Sequence, residues 1–294
     1  MNGRFSRMLV VAGPALLLSV GVVALGLRSI ERFDRAIGAS AHVGLALFSI
    51  AVLAGIAACI VSYYEYHGFG RQEGVIRKGP SKPLVAITFD DGPNPNYTPK
   101  ILDVLREKGI KATFFCVGVH VKKYPEVARR IVAEGHDIGN HTYSHRDLAP
   151  STRRVVINQI RRGADAIFSV TGVNAKLFRP PRGLYSEAVR RIVVEEFGLQ
   201  MVLWTVSALD WRRLSPRQIV RRVARFVRPG AIILFHDSGA LLRREGGKRT
   251  STVEALPLVI DYLREAGYQI VPVSEMLRHL TDSELEPRRI LERA

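Results

Sequence analysis

The feature that most constrains the fold of this chain is an alternation of short apolar runs with longer helix-like stretches across its last two thirds. The strand-sized runs are Leu84–Phe89, Lys111–Val117, Leu177–Arg179, Met201–Val206, Ala231–His236 and Gln269–Val273. The helix-like stretches between them are Thr98–Lys108, Tyr124–Glu134, Ser151–Ser169, Ser186–Glu196, Ser215–Val227 and Val253–Ala266. Such alternation predicts βαβ units and a parallel sheet, and therefore an α/β fold.

Two segments ahead of this region, Met8–Leu27 and Ala41–Tyr64, contain no charged residue. As helices rising about 1.5 Å per residue, each is long enough to cross a hydrocarbon core of roughly 30 Å. The pattern predicts two transmembrane helices. For the first segment a secretory signal is the alternative, because Arg4 and Arg7 precede it.

These segments divide the chain of 294 residues into four parts. The predicted parts are a membrane hairpin over 1–67, a linker over 68–82, a catalytic domain over 83–275 and a charged tail over 276–294. A chain of this length can hold one barrel-sized domain and a hairpin, but hardly two large domains.

Two adjacent carboxylates, Asp90 and Asp91, follow the first apolar run, and Gly92-Pro93 then turns the backbone. Neighbouring residues on a strand point to opposite sides, so the two carboxylates can take separate duties. One can hold a metal ion while the other handles a proton. The alternative is that both merely cap the helix that begins near Thr98.

Three histidines supply further groups for catalysis, two of them as candidate metal ligands. His141 and His145 are four residues apart, which predicts that they share one face of a helical turn and bind one ion. Two imidazoles and one carboxylate leave a position open for water, as in catalytic zinc sites. Two unrelated surface histidines are the alternative for this spacing alone. His236 closes a further apolar run, at the kind of strand end where α/β barrels gather their chemistry.

The ordered set of motifs resembles the polysaccharide deacetylases, which carry the NodB homology domain and form carbohydrate esterase family 4. The motifs are TFDDGP at 88–93, HTYSH at 141–145, RPPRG at 179–183, DW at 210–211 and LFH at 234–236. The resemblance spans roughly Lys82 to Glu275. It implies a distorted (β/α) barrel of the NodB type that removes acetyl groups, most often from N-acetylglucosamine units. It also implies a divalent metal, with Zn²⁺ expected and Co²⁺ or Ni²⁺ as alternatives.

Carried over residue by residue, the resemblance makes Asp91, His141 and His145 the metal ligands. Asp90 would be the general base, which takes a proton from the attacking water. His236 would be the acid that protonates the departing nitrogen.

Further residues match supporting positions of the family. Arg179 would pair with the general base and hold it ionised. Asp210 would orient and charge the catalytic histidine.

Three residues match positions around the substrate. The backbone N–H of Arg182 would help to stabilise the oxyanion. Trp211 and Leu234 match the pocket for the acetyl methyl group, with ordinary core packing as the alternative. Arg182 stands where many relatives have tyrosine, which predicts a changed substrate rim that favours an anionic group.

The formal charge of +16 suits nucleic acid, anionic lipid or an acidic glycan. No nucleic-acid motif or set of stacking aromatics accompanies the charge, which argues against nucleic acid. The predicted partners are membrane lipid and an acetylated glycan, free or lipid-linked. The predicted localisation is a membrane with two spans. Flanking basic residues favour a cytoplasmic catalytic domain, whereas the resemblance favours the exported side, so the side stays open. The sequence does not indicate an oligomeric state.

The sequence thus predicts a membrane-anchored, metal-dependent N-deacetylase of an N-acetylated sugar. An O-acetyl esterase acting on a glycan is the nearer alternative, because an ester needs less help from His236. A glycan-binding membrane protein without activity is the more distant one.

Overall fold

The computed structural model describes residues 44–57, 73–212, 214–239 and 247–280. The chain divides into two compact units, Met1–Gly68 and Phe69–Ala294. In the first unit residues 44–57 are helical. Within the described part of the chain, no helix has both the length and the apolar character needed to cross a bilayer. The predicted span Met8–Leu27 lies outside the described residues, as do the ends of the predicted span Ala41–Tyr64.

The second unit is built on a parallel sheet. Its strands are Val75–Ile76 (β1), Leu84–Asp90 (β2), Thr113–Cys116 (β3), Asp137–Asn140 (β4), Leu177–Phe178 (β5), Gln200–Val202 (β6), Val206–Ser207 (β7), Ile232–His236 (β8) and Gln269–Ile270 (β9). The strand order is β1-β6-β5-β4-β3-β2-β8-β7, and β9 pairs with the start of β2. Each of these pairings is parallel. The predicted α/β class with a parallel sheet is confirmed.

The sheet curls back on itself. In the strand order β6 and β7 stand six places apart, which in a flat sheet would be about 29 Å at about 4.8 Å per strand. Only residues 203–205 connect them, so Val202 and Val206 are four residues apart and can be separated by at most about 14 Å. The two ends of the sheet therefore approach each other, and the sheet forms a half-barrel. This curled sheet agrees with the distorted barrel that the family resemblance implied.

Helices cover the outside of the sheet. They are Thr98–Glu107 (α1), Gly118–Lys123 (α2), Pro125–Ala133 (α3), Arg153–Thr171 (α4), Glu187–Arg191 (α5), Pro216–Phe226 (α6), Thr250–Glu265 (α7) and Val273–Arg278 (α8). A π-helical segment, Ile192–Glu196, extends α5, and a 3₁₀ turn spans Pro181–Gly183. The main core lies between sheet and helices, where residues of one face of β2, including Ile87 and Phe89, pack with α1 and α7.

Side chains on the inner face of the sheet form layers. The neighbouring strands β2 and β8 pair Ala86 with Ile232, Thr88 with Leu234 and Asp90 with His236. Alternate residues share a face, so these pairs form successive layers inside the barrel, from an apolar layer at Ala86 and Ile232 to a polar layer at Asp90 and His236. Residues of α8, Val273, Met276 and Leu277, join the apolar layer and close the barrel at that end. The polar layer lies at the carboxyl ends of the strands.

The sequence prediction differs from the structure at three places, which involve four strands. The run Met201–Val206 is predicted to be one strand, but it contains the last two residues of β6 and the first residue of β7, because the chain crosses there from one end of the curled sheet to the other. Strand β4 has the sequence DIGN, which lacks an apolar run. Strand β1 lies within the segment predicted to be a linker.

Candidate active site

Asp90, the last residue of β2, faces the inside of the barrel and pairs with Arg179. Nη1 of Arg179 donates hydrogen bonds to Asp90 Oδ1 at 2.7 Å and to Thr88 Oγ1 at 2.8 Å. Its Nε and Nη2 donate to the carbonyl oxygens of Val202 and Leu203, each at 3.0 Å. The side chains of Arg179 and Asp90 are 0% and 5% exposed. The ion pair is therefore buried, multiply hydrogen-bonded and fixed in one orientation.

Asp91 forms a cluster with His141 and His145. Its Oδ1 lies 3.1 Å from His145 Nε2 and 3.6 Å from His141 Nε2. One ligand atom from each of the three residues lies within 4.8 Å of the others. Burial alone would raise the pKa of Asp91, but the two imidazoles hold it well below its usual value. The carboxylate is thus kept ionised at the point where the histidines converge.

The segment that carries the two histidines is a loop, so the predicted helical turn is wrong. Thr142 and His145 have left-handed backbone conformations, with φ of 68° and 54°. The side chain of Asn140 shapes this loop, because its Oδ1 accepts from the Thr142 N–H at 2.9 Å and its Nδ2 donates to the Ile160 carbonyl at 2.8 Å. The histidines converge because the loop is tied to α4.

The donor set fits a divalent ion of borderline softness. His141 Nδ1 donates to the carbonyl oxygen of Arg179 at 2.8 Å, which leaves the lone pair on Nε2, the atom nearest to Asp91. Two imidazole nitrogens and one carboxylate oxygen are the ligands of an open, catalytic zinc site. The structure thus brings together the three residues that the sequence analysis assigned to the metal.

His236 and Asp210 form a second polar pair at the top of β8. His236 Nδ1 lies 2.8 Å from Asp210 Oδ1, and the His236 backbone N–H donates to Asp210 Oδ2, also at 2.8 Å. Thr252 Oγ1 donates to the same Oδ2 at 2.9 Å. Burial alone would lower the pKa of His236, but Asp210 outweighs it and raises the pKa to about 9. The imidazole is thus held as a proton donor near neutral pH.

This pair predicts how the stability of the chelated, metal-free protein depends on pH. The folded-state pKa of His236 is raised from 6.5 to about 9, so its protonation stabilises the fold fully below pH 6.5, and the contribution is lost as the pH rises through about 9. Each unit of pKa is worth about 1.4 kcal/mol, which gives about 3 kcal/mol in total. We expect the free energy of unfolding of the wild type, measured in urea, to fall relative to His236→Gln over this range. A parallel pH dependence in the two proteins would contradict the assignment, and His279→Gln, at an exposed position, is the control.

The three predicted substrate-contact residues lie at the same end of the barrel. Leu234 is buried on β8, two residues before His236 and hence on the same face of the strand. Trp211 follows Asp210 and is 52% exposed. Arg182 has φ of 57°, and its guanidinium pairs with Asp147 at 2.5 Å.

Two site residues carried no recognisable signal in the sequence, Asp237 and His120. Asp237 Oδ2 accepts from Thr98 Oγ1 at 2.5 Å, and burial raises the pKa of this carboxyl to about 7. His120 Nδ1 donates to the Asp91 carbonyl at 2.7 Å. Neither residue belongs to a motif with its partner, so only the fold reveals them. Helix α1 has no side-chain cap, so the alternative that the Asp90-Asp91 pair caps it is wrong.

Gly92 is required because the Asp237 carboxylate occupies the space where a Cβ would lie. We expect Gly92→Ala to lower the free energy of unfolding by about 1–3 kcal/mol through this overlap. Thermal and urea unfolding measure the loss. In Gly92→Ala/Asp237→Ala the overlap is gone, so the double variant should be more stable than the sum of the single changes predicts. Simple additivity would rule out the steric explanation.

Comparisons with known proteins agree with this geometry. A family model described as polysaccharide deacetylase matches residues 77–202. A peptidoglycan-N-acetylglucosamine deacetylase of Bacillus cereus is 38% identical over 198 residues, which cover 67% of this chain and 89% of that protein. A chitooligosaccharide deacetylase of Sinorhizobium fredii is 40% identical over 200 residues, which cover 67% and 93%. The crystal structure of a carbohydrate esterase family 4 pseudoenzyme from Bacillus anthracis aligns with a TM-score of 0.64 and 31% identity, over 70% of each chain.

Proposed function

The chain belongs to the polysaccharide deacetylase family and is a carbohydrate deacetylase, and we propose that it hydrolyses N-acetyl groups of N-acetylglucosamine-type glycans with one divalent metal ion. The observation that carries this proposal is the convergence of Asp91, His141 and His145, whose ligand atoms lie within 4.8 Å of one another. Relatives named for peptidoglycan and for chitooligosaccharides support the substrate class.

In the proposed mechanism Asp91, His141 and His145 would hold the ion. When bound, the ion supplies Lewis-acid chemistry, which acidifies the hydrolytic water and polarises the acetyl carbonyl. Asp90 acts as the general base. Arg179 fixes its Oδ1, and its Oδ2 lies 3.8 Å from His141 Nε2, beside the ligand cluster. A proton taken from water can therefore be accepted next to the metal site.

The departing nitrogen must receive a proton before the amide breaks, and His236 is the group that we assign to this step. The Asp210 carboxylate stabilises the imidazolium and orients Nδ1, so that Nε2 is the atom that donates. Acid and base are thus separate residues on neighbouring strands, in register as Asp90 and His236.

The backbone N–H of Arg182 is proposed to stabilise the oxyanion. Within the described residues this N–H has no hydrogen-bond acceptor, whereas the N–H groups of Gly183 and Leu184 donate to the carbonyl oxygens of Pro180 and Pro181. A preorganised free donor at this end of the barrel suits a developing negative charge. Leu234 and Trp211 are proposed to contact the acetyl methyl group.

The fold alone does not establish activity, since a pseudoenzyme shares it. The argument for activity comes from the complete residue set, namely Asp90, Asp91, His141, His145, Arg179, Asp210 and His236, with the contacts described above.

The test uses the purified full chain, stripped by chelation and reloaded with Zn²⁺, Co²⁺ or Ni²⁺. N-acetylglucosamine oligomers, peptidoglycan, lipid-linked N-acetylated sugars and O-acetylated glycans are offered in parallel, with free acetate as the readout. We expect release from N-acetylated glycans only after reloading. Release from esters alone would establish the esterase, and release that persists in excess chelator would exclude the metal mechanism.

Membrane attachment through residues 8–27 and 41–64 is also a proposal, supported by their lack of charged residues. The chain is expected to stay with membranes during alkaline extraction. Its release into the soluble fraction would contradict attachment by these segments.

A further inference from the structure

One side of helix α6 presents a row of arginines. Ile219 and Val223 face the core, and Arg217, Arg221 and Arg225 are exposed on the opposite side. Residues four apart are neighbours on a helix surface, so the three form a continuous row with steps of about 6 Å. We call Arg217, Arg221 and Arg225 the arginine ridge.

The N-terminus of helix α6, which carries the ridge, is stabilised by capping residues. Ser215 and Gln218 form a capping box, in which each side chain accepts from the other residue's backbone N–H. Pro216 occupies the first helical turn, where proline is favoured. The arginines are therefore displayed on a stable scaffold.

In the part of the chain that the structure describes, the ridge has no acidic partner. The sequence contains no Asp or Glu between Asp210 and Asp237. Within the described ranges, no carboxylate lies at ion-pair distance from the three arginines. Among the described residues Arg106 pairs with Asp103, Arg129 with Glu126 and Arg191 with Glu187. In the same part of the chain Arg154 and Arg161 on α4 are exposed without a carboxylate at ion-pair distance, so what distinguishes the ridge is its unbroken spacing of four residues. Like charges four apart destabilise a helix, so an unpaired row points to an external anion.

The ridge begins at the catalytic end of the barrel. Helix α6 follows β7 through the segment that contains Asp210 and Trp211. Because the carboxyl end of β7 lies at the edge that carries the site, α6 starts there and runs down the outside of the barrel. Beside the site, the Arg212 guanidinium lies 5.0 Å from the centroid of the Trp211 ring.

We propose that the arginine ridge binds the anionic groups of an extended glycan whose acetylated unit lies in the active site, so that the enzyme prefers negatively charged over neutral N-acetylated glycans. This inference rests on the proposed function. Guanidinium groups form charge-assisted, bidentate hydrogen bonds to carboxylates and phosphates. Their regular spacing, about 6 Å, suits a chain that carries such groups at repeating intervals.

A bilayer surface is the less suitable partner for this face. Helices that lie in a membrane interface insert an apolar face between lipids, whereas the apolar face of α6 is used by the core. Phe226 is 45% exposed, and its ring centroid lies 5.5 Å from the Arg225 guanidinium and 5.0 Å from that of Arg222. One aromatic side chain at the end of the ridge is not the continuous apolar face that interfacial helices insert, so the ridge fits a soluble polyanion better than a bilayer.

The test compares two soluble polymers with the same acetylated backbone, anionic carboxymethyl chitin and neutral glycol chitin. For the metal-loaded full chain, kcat/KM from acetate release is measured at low and high NaCl. We expect the ratio of the anionic to the neutral substrate to be about tenfold or more at low salt and to approach one at high salt, since steering is screened. In Arg217→Gln/Arg221→Gln/Arg225→Gln the ratio should approach one at both salt concentrations.

The matched control removes the same charge elsewhere, in Arg106→Gln/Arg129→Gln/Arg191→Gln, and should keep the wild-type ratio. An equal loss in both triple variants would assign the preference to net charge and overturn the proposal. A ridge variant that behaves like the wild type would also overturn it.

Binding of fluorescently labelled polymers is measured by anisotropy in parallel. If neither polymer is deacetylated, the proposed function fails. Binding then tests the ridge on its own: tighter binding of carboxymethyl chitin than of glycol chitin that is lost in the ridge variant supports the inference, and equal binding of the two polymers overturns it. Ridge-dependent binding to vesicles of anionic phospholipid, with no discrimination between the polymers, would assign the ridge to lipid instead.

Discussion

Replacing His145 with alanine is expected to remove Zn²⁺ binding and acetate release together. His145 supplies the imidazole nearest to Asp91 Oδ1, at 3.1 Å, so its loss leaves two ligands for an ion that needs at least three from the protein. Partners that only orient ligands are worth about 10- to 100-fold in affinity or activity. Loss of a ligand itself should therefore exceed about 100-fold in both quantities. Competition with a chelator gives the affinity, and acetate release gives the activity.

The matched control for this variant is His279→Ala, which removes an exposed imidazole from the end of α8. It should bind Zn²⁺ and release acetate as the wild type does. Wild-type Zn²⁺ affinity in His145→Ala would show that the ion binds without His145 as a ligand. Activity lost with full Zn²⁺ affinity would make His145 a substrate contact.

The sequence predicted the strand that carries Asp90 and Asp91 because that signal is local. An apolar run that ends in two carboxylates and Gly-Pro specifies a buried strand and a turn without reference to the rest of the chain. Side chains of a strand alternate between its two faces, so Thr88 and Asp90 lie together on the inner face of β2, where both accept hydrogen bonds from Arg179. Motif order supplied the partners of these carboxylates, because it linked residues that are far apart in sequence.

The backbone around His141 and His145 could not be predicted, because distant groups determine it. A spacing of four suggests a helical turn, yet Asn140 and Gln159 bind the loop in an irregular form. The Ser144 N–H donates to Gln159 Oε1 at 3.0 Å, and Asn140 joins the loop to α4. For the same reason Asp237 and His120 were not recognised, since each acts through one contact across the fold.

Asp90→Asn is expected to lower kcat by about 10²- to 10⁴-fold, the usual contribution of a positioned acid or base. The amide oxygen can still accept from Arg179 Nη1, but an amide cannot take a proton from water at neutral pH. Because Asp90 is not among the three clustered ligands, Zn²⁺ affinity should change far less than kcat. Steady-state acetate release and chelator competition measure the two quantities. A variant that keeps wild-type kcat would remove Asp90 from the mechanism.

The same substitution leaves the guanidinium of Arg179 buried without a counter-charge, which typically costs about 3–5 kcal/mol of stability. A loss of rate could therefore reflect unfolding rather than chemistry, and a second variant separates the two. In Asp90→Asn/Arg179→Gln the buried charge is gone, so the free energy of unfolding should recover in part, whereas kcat should stay as low as in the single variant. Recovery of kcat together with stability would show that Asp90 maintains the fold of the site and is not its base.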